Sequence, residues 1–145
     1  MVVMDNIVER VATLHRVTIF SDVPGRTLVA VARAATEVVV EEGTTFIEEG
    51  DVEDHLFVVV DGSVRVHNGP HPLVDLGAGD TVGELAALLP EPRSASATAL
   101  ERTTLLRVDK TTLDQLIAER PALANGIIIG LVRSLRARRA DGPES

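Results

Sequence analysis

Between residues 38 and 108 the chain breaks into short apolar segments separated by Gly, Asp, Asn and Pro, and this pattern constrains its fold more than any other feature. The segments are residues 38–40, 44–47, 55–60, 63–67, 73–76, 96–100 and 104–108. Short strands that recur at roughly ten-residue spacing are typical of an all-β sandwich, barrel or jelly roll. Two of the separators, Asp61-Gly62 and Asn68-Gly69, favour tight hairpin turns.

Helical spacing of apolar residues replaces the β pattern on both sides of this region. It covers residues 5–15, a stretch that begins at Thr27, residues 111–119 and a last helix from Pro121 to about Arg139, which Asp141-Gly142-Pro143 ends. We therefore predict one domain, mainly β with flanking helices. Its parts are an N-terminal helical segment 1–36, a β-barrel 37–109 and C-terminal helices 110–140.

The charge distribution and the lack of cysteine argue against several classes of function. The net charge is −8, and residues 37–61 hold nine acidic residues and no Lys or Arg. The basic tail is typical of a solvated helix end that complements the helix dipole, so we expect no nucleic-acid partner. Without cysteine there is no disulfide framework or thiolate metal site. We find no signal peptide and no apolar run that could span a membrane, and therefore expect a cytoplasmic chain with no membrane partner.

Residues 83–95 interrupt the β pattern with a short helix-prone segment and a loop that contains Arg93. The start of a helical turn offers backbone N–H groups to an anion, and the planar fork of Arg93 suits two phosphate oxygens. Ser94 and Ala95 are small enough for a ligand to approach the backbone. Glu84 would repel a phosphate, but it suits a ligand that carries hydroxyl donors beside its phosphate, as a ribose does. The order and spacing of these residues, rather than any one of them, predict the site.

The segments Gly83-Glu84-Leu85-Ala86 and Pro92-Arg93-Ser94-Ala95 resemble the phosphate-binding cassette of cyclic nucleotide-binding domains. Such domains occur in the bacterial catabolite activator, in kinase regulatory subunits and in cyclic nucleotide-gated channels. The resemblance covers about residues 14–137, and further matching stretches are Ile19-Phe20 with Leu28, residues 50–62 and residues 76–80. It implies a double-stranded β-helix, or jelly-roll, barrel with N-terminal helices, an inserted cassette helix and two C-terminal helices.

The resemblance also implies a role for each cassette residue. Glu84 would accept a hydrogen bond from the ribose 2′-hydroxyl, and Arg93 would pair with the cyclic phosphate. The backbone N–H groups of Ala86 and Ser94, with the Ser94 hydroxyl, would complete the phosphate cradle, while Ala95 would keep the pocket open. The predicted ligand-binding residues are Gly83, Glu84, Leu85, Ala86, Arg93, Ser94 and Ala95.

In the same family the last helix closes over the base. This chain offers no aromatic residue there, so Ile127, Ile128 or Leu131 is expected to cap the base. A single lysine among fourteen basic residues, with abundant Ala and Val, suggests a bacterium with a GC-rich genome, and on that ground we favour cAMP over cGMP. We expect nucleotide binding to reposition residues 121–139. That helix would act on a second copy of the chain or on an effector domain or protein.

Three alternatives to a ligand sensor stay open at this point. A metal-dependent barrel enzyme needs clustered ligands, but the histidines show no familiar ligand spacing, and we expect no metal, no cofactor and no catalytic residue. They are His15, His55, His67 and His71. A degenerate domain would keep the fold for assembly without binding ligand, which the intact Glu84 and Arg93 argue against. The same sequence also fits a sensor fragment of a larger transcription regulator, channel, transporter or enzyme.

Overall fold

Two four-stranded antiparallel sheets form the body of the protein in a computed structural model, which describes residues 6–140. The strands are β1 (Thr36–Val40), β2 (Thr45–Ile47), β3 (Val52–Glu53), β4 (His55–Asp61), β5 (Val64–Asn68), β6 (His71–Leu76), β7 (Thr81–Val82), β8 (Glu91–Pro92), β9 (Ser96–Ala99) and β10 (Thr103–Asp109). The first sheet has the order β1-β10-β4-β7, and the second has the order β2-β9-β5-β6. The short strands β3 and β8 pair as a separate ribbon.

Within the described residues, four α-helices and two 3₁₀ turns flank or interrupt the sheets. They are α1 (Ile7–His15), the first 3₁₀ turn (Thr18–Phe20), α2 (Gly25–Ala34), the cassette turn (Glu84–Ala87), α3 (Lys110–Glu119) and α4 (Pro121–Ala140). The side chain of Asn6 caps α1 by accepting from the Val8 N–H at 2.8 Å, which satisfies one of the free donors of the first turn. Pro121 opens α4, as the sequence predicts.

Strand β4 separates two hydrophobic cores because its side chains alternate between opposite faces. Leu56 and Val58 pack with the helices, whereas Phe57 and Val59 pack inside the barrel. The same alternation runs along β10, where Leu106 faces the helices. The continuous apolar run in β4 therefore marks a strand buried on both faces. Through this helical core, α4 packs against the barrel wall that carries the cassette.

The sheets and helices confirm the predicted mainly β architecture, with differences at three places. Helix α2 begins at Gly25 rather than Thr27, because the Pro24 carbonyl accepts from the N–H groups of Thr27 and Leu28. Strands β3, β7 and β8 were not predicted. The connection between β5 and β6 is Gly69-Pro70, and within residues 6–140 positive φ occurs at glycines alone, so Asn68 does not take part in a turn of the predicted type.

The predicted helix start at Asp5 and the terminating residues 141–143 lie outside the described residues. Within residues 6–140, no single helix combines the length and apolar character needed to cross a membrane. The pair Lys110–Glu119 and Pro121–Arg139 meets that test when taken together, with a bend of 115° between them.

Candidate functional site

The cassette begins where β7 ends, and Gly83 turns the chain at that point. Its backbone lies in the left-handed region, with φ 70° and ψ 35°, a conformation that glycine adopts at little cost. The four-residue cassette turn follows, and β8 then leads to Arg93. The helical turn predicted within the barrel wall is therefore present, although it is a 3₁₀ turn of four residues.

Arg93 is held through both its backbone and its side chain. Its N–H donates to the Asp51 carbonyl, and its own carbonyl accepts from the Gly50 N–H, both at 2.9 Å. The side chain is 9% exposed, and Nη2 donates to the His55 carbonyl at 2.7 Å. These hydrogen bonds hold the guanidinium of Arg93 in place beneath the cassette turn.

The protein compensates the charge of Arg93 only in part. The Glu53 Oε1 atom lies 3.8 Å from Nη2, and Nε has no hydrogen-bond partner among residues 6–140. Burial lowers the pKa of Arg93, while the negative charge of Glu53 opposes this shift. A buried cation with an unpaired donor favours an anionic ligand, because such a ligand restores the lost solvation.

Arg93 lines a cavity of about 290 Å³ in the barrel. Ser94 and Ala95, two of the residues predicted to bind the ligand, line the same cavity. The other lining residues are Ile47, Val66, Val74, Leu76, Thr81, Val82, Gly83, Ser96 and Ala97. The walls are thus mostly apolar, with one cation and a few hydroxyls. This composition suits a small ligand that has an anionic group and an apolar body.

Glu84 faces a different part of the molecule. Its Oε1 atom accepts a hydrogen bond from the Thr18 backbone N–H at 3.1 Å. The residue lines a larger cavity, of about 560 Å³, whose walls also come from the first 3₁₀ turn and α4. Burial raises the pKa of Glu84, and the Thr18 hydrogen bonds and the charge of Arg138 counteract the shift. The carboxylate is therefore partly desolvated and held toward α4.

Both Glu84 and Arg93 line a shallow cleft of about 170 Å³. Most predicted cassette residues line it: Gly83, Glu84, Leu85, Ala86, Arg93 and Ser94. Ala95 lines the barrel cavity instead. The Ala86 N–H, expected to face the phosphate, donates to the Gly83 carbonyl at 3.0 Å. In this conformation it is therefore not free for an anion, because the 3₁₀ turn uses it.

The three candidates for a base cap lie in three different environments. Ile127 is 4% exposed and belongs to the helical core, whereas Ile128 is 58% exposed and lies on another face of α4 beside Val132. Neither lines the cavity that contains Glu84. Leu131 does, together with three other residues of the same helix: Ser134, Leu135 and Arg138. The predicted cap at Ile127 or Ile128 is thus not available in this conformation.

Two contributions to the site were missed in the sequence. The Thr18 N–H is a backbone group 66 residues away from Glu84, and no side-chain pattern announces it. Ser134 and Arg138 could have been predicted from the sequence. They follow Leu131 by three and seven residues, which places all three on one face of a helix. Among the described residues, no group of three or more His, Asp or Glu is arranged to hold a metal ion.

Several known proteins resemble this chain in sequence and in fold. Residues 37–120 match the profile of the cyclic nucleotide-binding domain family. A cyclic nucleotide-gated potassium channel from Rhizobium etli is 32% identical over 88% of this chain and 34% of its own length. A CRP-like cAMP-activated global transcriptional regulator from Mycobacterium tuberculosis is 30% identical over 85% of this chain and 57% of its own length. The chain thus spans between a third and somewhat over half of the length of these relatives.

A solved structure agrees with the fold. The crystal structure of the N-terminal domain of a transcriptional regulator from Streptomyces coelicolor superposes with a TM-score of 0.81 at 28% identity. The match covers 89% of this chain and 94% of that domain. It confirms the mainly β fold with flanking helices predicted from the strand pattern, and the jelly roll that the family resemblance implies. With the profile match over residues 37–120, it leads to one conclusion: the chain belongs to the cyclic nucleotide-binding domain family.

Proposed function

We propose that this domain is a sensor that binds cAMP, with cGMP as the second candidate, and that binding repositions α4. The observation that carries the proposal is the state of Arg93. Its side chain is almost fully buried beside a small, mostly apolar cavity, and its Nε lacks a partner among the described residues. The single negative charge of a cyclic phosphate would satisfy both the charge and the free donor.

Glu84 supports a nucleotide rather than a simple inorganic anion as the ligand. A carboxylate on the cassette turn would repel phosphate alone, so a site for free phosphate is expected to avoid it. A ribose carries a hydroxyl donor close to its phosphate, and an acceptor such as Glu84 then adds affinity. Both residues border one cleft, which allows a single ligand to reach them.

The preference for cAMP rests on a relative rather than on the cavity. The regulator from Mycobacterium tuberculosis is named for its activation by cAMP, whereas the apolar lining of the barrel cavity accepts a purine of either kind. Leu131 is the base-cap candidate on α4 that already borders the cavity of Glu84. A shift of α4 toward the barrel would bring it over the base.

The output of the sensor is proposed to pass through α4. Exposed apolar residues on this helix, Ile128, Val132 and Leu135, follow one another at intervals of four and three residues. Such a stripe suits contact with a second copy of the chain or with an effector domain. The role is therefore regulatory rather than catalytic, in keeping with the channel and regulator among its relatives.

Isothermal titration calorimetry of the chain with cAMP and cGMP tests the proposal. Arg93→Ala is expected to weaken binding by about one to two orders of magnitude, because a hydrogen bond to a charged group contributes about 1.5–3 kcal/mol. Arg102→Ala is the matched control, since Arg102 is exposed and pairs on the surface with Glu41. Equal affinity of the Arg93→Ala and control variants would contradict the assignment, and no binding by the unmodified chain would favour an assembly role.

A further inference from the structure

One residue, Thr18, contacts both the ribose-binding candidate and the C-terminal helix. Its N–H donates to Glu84 Oε1 at 3.1 Å, while its carbonyl oxygen lies against α4 at Gly130. The Ser21 hydroxyl donates to the same carbonyl at 2.8 Å, which fixes the peptide in the first 3₁₀ turn. The two ends of one residue thus connect the cassette and α4.

The contact with α4 depends on two glycines. A Cβ atom on Gly130 would lie 2.7 Å from the Thr18 carbonyl oxygen, and one on Gly126 would lie 2.8 Å from the Val23 Cα. Real Cβ atoms do not approach so closely, so any larger residue would force α4 away from the first 3₁₀ turn. The position of α4 and the position of Thr18 are therefore coupled through backbone contacts.

Glu84 is held on the α4 side of the cassette by this arrangement. It lines the cavity bordered by Leu131, Ser134 and Arg138, whereas Arg93 lines the barrel cavity, which Glu84 does not border. A nucleotide seated in the barrel cavity with its phosphate on Arg93 can reach Glu84 through the shallow cleft that both residues line, once the carboxylate turns toward it. Such a turn would move Oε1 away from the Thr18 N–H.

We propose that the nucleotide ribose and the Thr18 N–H compete for the Glu84 carboxylate, and that Thr18 is a positioning residue that couples this competition to the docking of α4. The inference rests on the proposed function and deepens it. If ribose displaces Thr18 from Glu84, the first 3₁₀ turn would loosen. The contact between the Thr18 carbonyl oxygen and Gly130 of α4 would then loosen with it. By reciprocity, a change that weakens the contact between Thr18 and Glu84 would raise nucleotide affinity.

The variant Thr18→Pro removes the competing donor with little other change. Thr18 is the exposed first residue of the 3₁₀ turn, where proline fits. Val17 before it has φ −76° and ψ 129°, the extended conformation that a residue preceding proline prefers. Thr18→Val separates the two donors of this residue, because it removes the hydroxyl, which also hydrogen-bonds the Glu84 carboxylate, and keeps the N–H. It also keeps the test possible should the proline variant fail to fold.

The readout is calorimetric affinity for cAMP and for 2′-deoxy-cAMP, which lacks the hydroxyl that Glu84 is proposed to bind. Thr18→Pro is expected to raise cAMP affinity by about tenfold, the size of one hydrogen bond to a charged group. Thr18→Val, which keeps the N–H, is expected to gain less, and affinity for 2′-deoxy-cAMP is expected to stay unchanged in both variants. In the free protein, Glu84→Ala, which removes the acceptor, is expected to shift the amide NMR signals of Thr18 and Gly130.

The outcomes separate this inference from the proposed function. Unchanged cAMP affinity in both Thr18 variants would overturn the inference while the nucleotide site stands. Equal gains for the two nucleotides would also overturn it, since a purely structural effect does not depend on the 2′-hydroxyl. Failure of the unmodified chain to bind any cyclic nucleotide would refute the proposed function and the competition together. An unmoved Gly130 signal in Glu84→Ala would show that Thr18 does not couple Glu84 to α4.

Discussion

The guanidinium of Arg93 occupies the space that a side chain at Gly83 would need. A Cβ atom built on Gly83 lies 2.7 Å from Arg93 Cζ and closer still to Nη1. The glycine that turns the chain into the cassette therefore also lets the arginine pack against the backbone. Glu84 follows directly, so one residue sets the geometry of both predicted ligand contacts.

Gly83→Ala is expected to weaken cAMP binding by about tenfold or more, comparable with loss of the Arg93 contact. The added methyl group displaces the guanidinium, and the left-handed backbone adds strain of about 1–2 kcal/mol to the folded state. Calorimetry measures the first effect and urea unfolding the second. The matched control is Gly69→Ala, because Gly69 has φ 53° and a Cβ there meets nothing within 4 Å. It should lose stability alone, and an equal loss of affinity in both variants would disprove the role of the Arg93 contact.

The strand pattern predicted most of the barrel because it depends on local signals. Alternation and turn residues locate a strand such as β4 without knowledge of its partners. Strand β8 gave no such signal, because Pro92 disfavours a strand assignment. It pairs with β3, with Val52 opposite Pro92, and Arg93 hydrogen-bonds Gly50 and Asp51 beside that pairing, about forty residues earlier in the chain.

The candidate site divides along the same line. The residue types of the cassette were recognised because their order and spacing resemble a known phosphate-binding cassette, and their ligand contacts stay a prediction. The partner of Glu84 was not readable, because a backbone N–H is present at every residue except proline. For the cap, helical spacing places Ile127 and Leu131 on one face of α4. Which of the two reaches the cavity depends on how far α4 extends past the core, and that is a tertiary property.

Glu84→Gln is expected to stabilise the fold at neutral pH and to lose this advantage in acid. Burial raises the pKa of Glu84 above its ordinary value, so the folded state binds a proton more readily than the unfolded state. The stability of the natural chain therefore falls as pH rises through the raised pKa, where the carboxylate ionises in a desolvated place. Glutamine keeps an oxygen for the Thr18 N–H without the charge.

Urea unfolding of both proteins between about pH 4 and pH 8 measures this difference. The gap in unfolding free energy should be largest above the raised pKa and should narrow as the pH falls. A gap that widens in acid would contradict the prediction, because it would indicate a carboxylate whose pKa the fold lowers.

Gly62→Ala is expected to lower the free energy of unfolding by about 2–4 kcal/mol, from backbone strain and overpacking together. Gly62 has φ 120°, and a Cβ there would lie 2.7 Å from the Thr103 Cα atom. Thr103 cannot yield easily, because it is fully buried and its hydroxyl donates to the Glu101 carbonyl at 2.8 Å. Gly43→Ala, with φ 84° and open space around it, should cost only the backbone strain of about 1–2 kcal/mol. Equal losses of unfolding free energy in the two variants would show that backbone strain alone, without overpacking, sets the cost.

Leu131→Ala tests whether α4 caps the ligand. Leu131 borders the cavity of Glu84, so truncation should weaken cAMP binding by about tenfold, the transfer free energy of a few buried methyl groups. Ile128→Ala is the matched control on the same helix, because Ile128 is 58% exposed and borders a different surface. Calorimetry compares the affinities. Addition of cAMP should also shift the amide NMR signals of α4 in the natural chain and in Ile128→Ala, while a helix whose signals stay fixed would exclude α4 as the moving element.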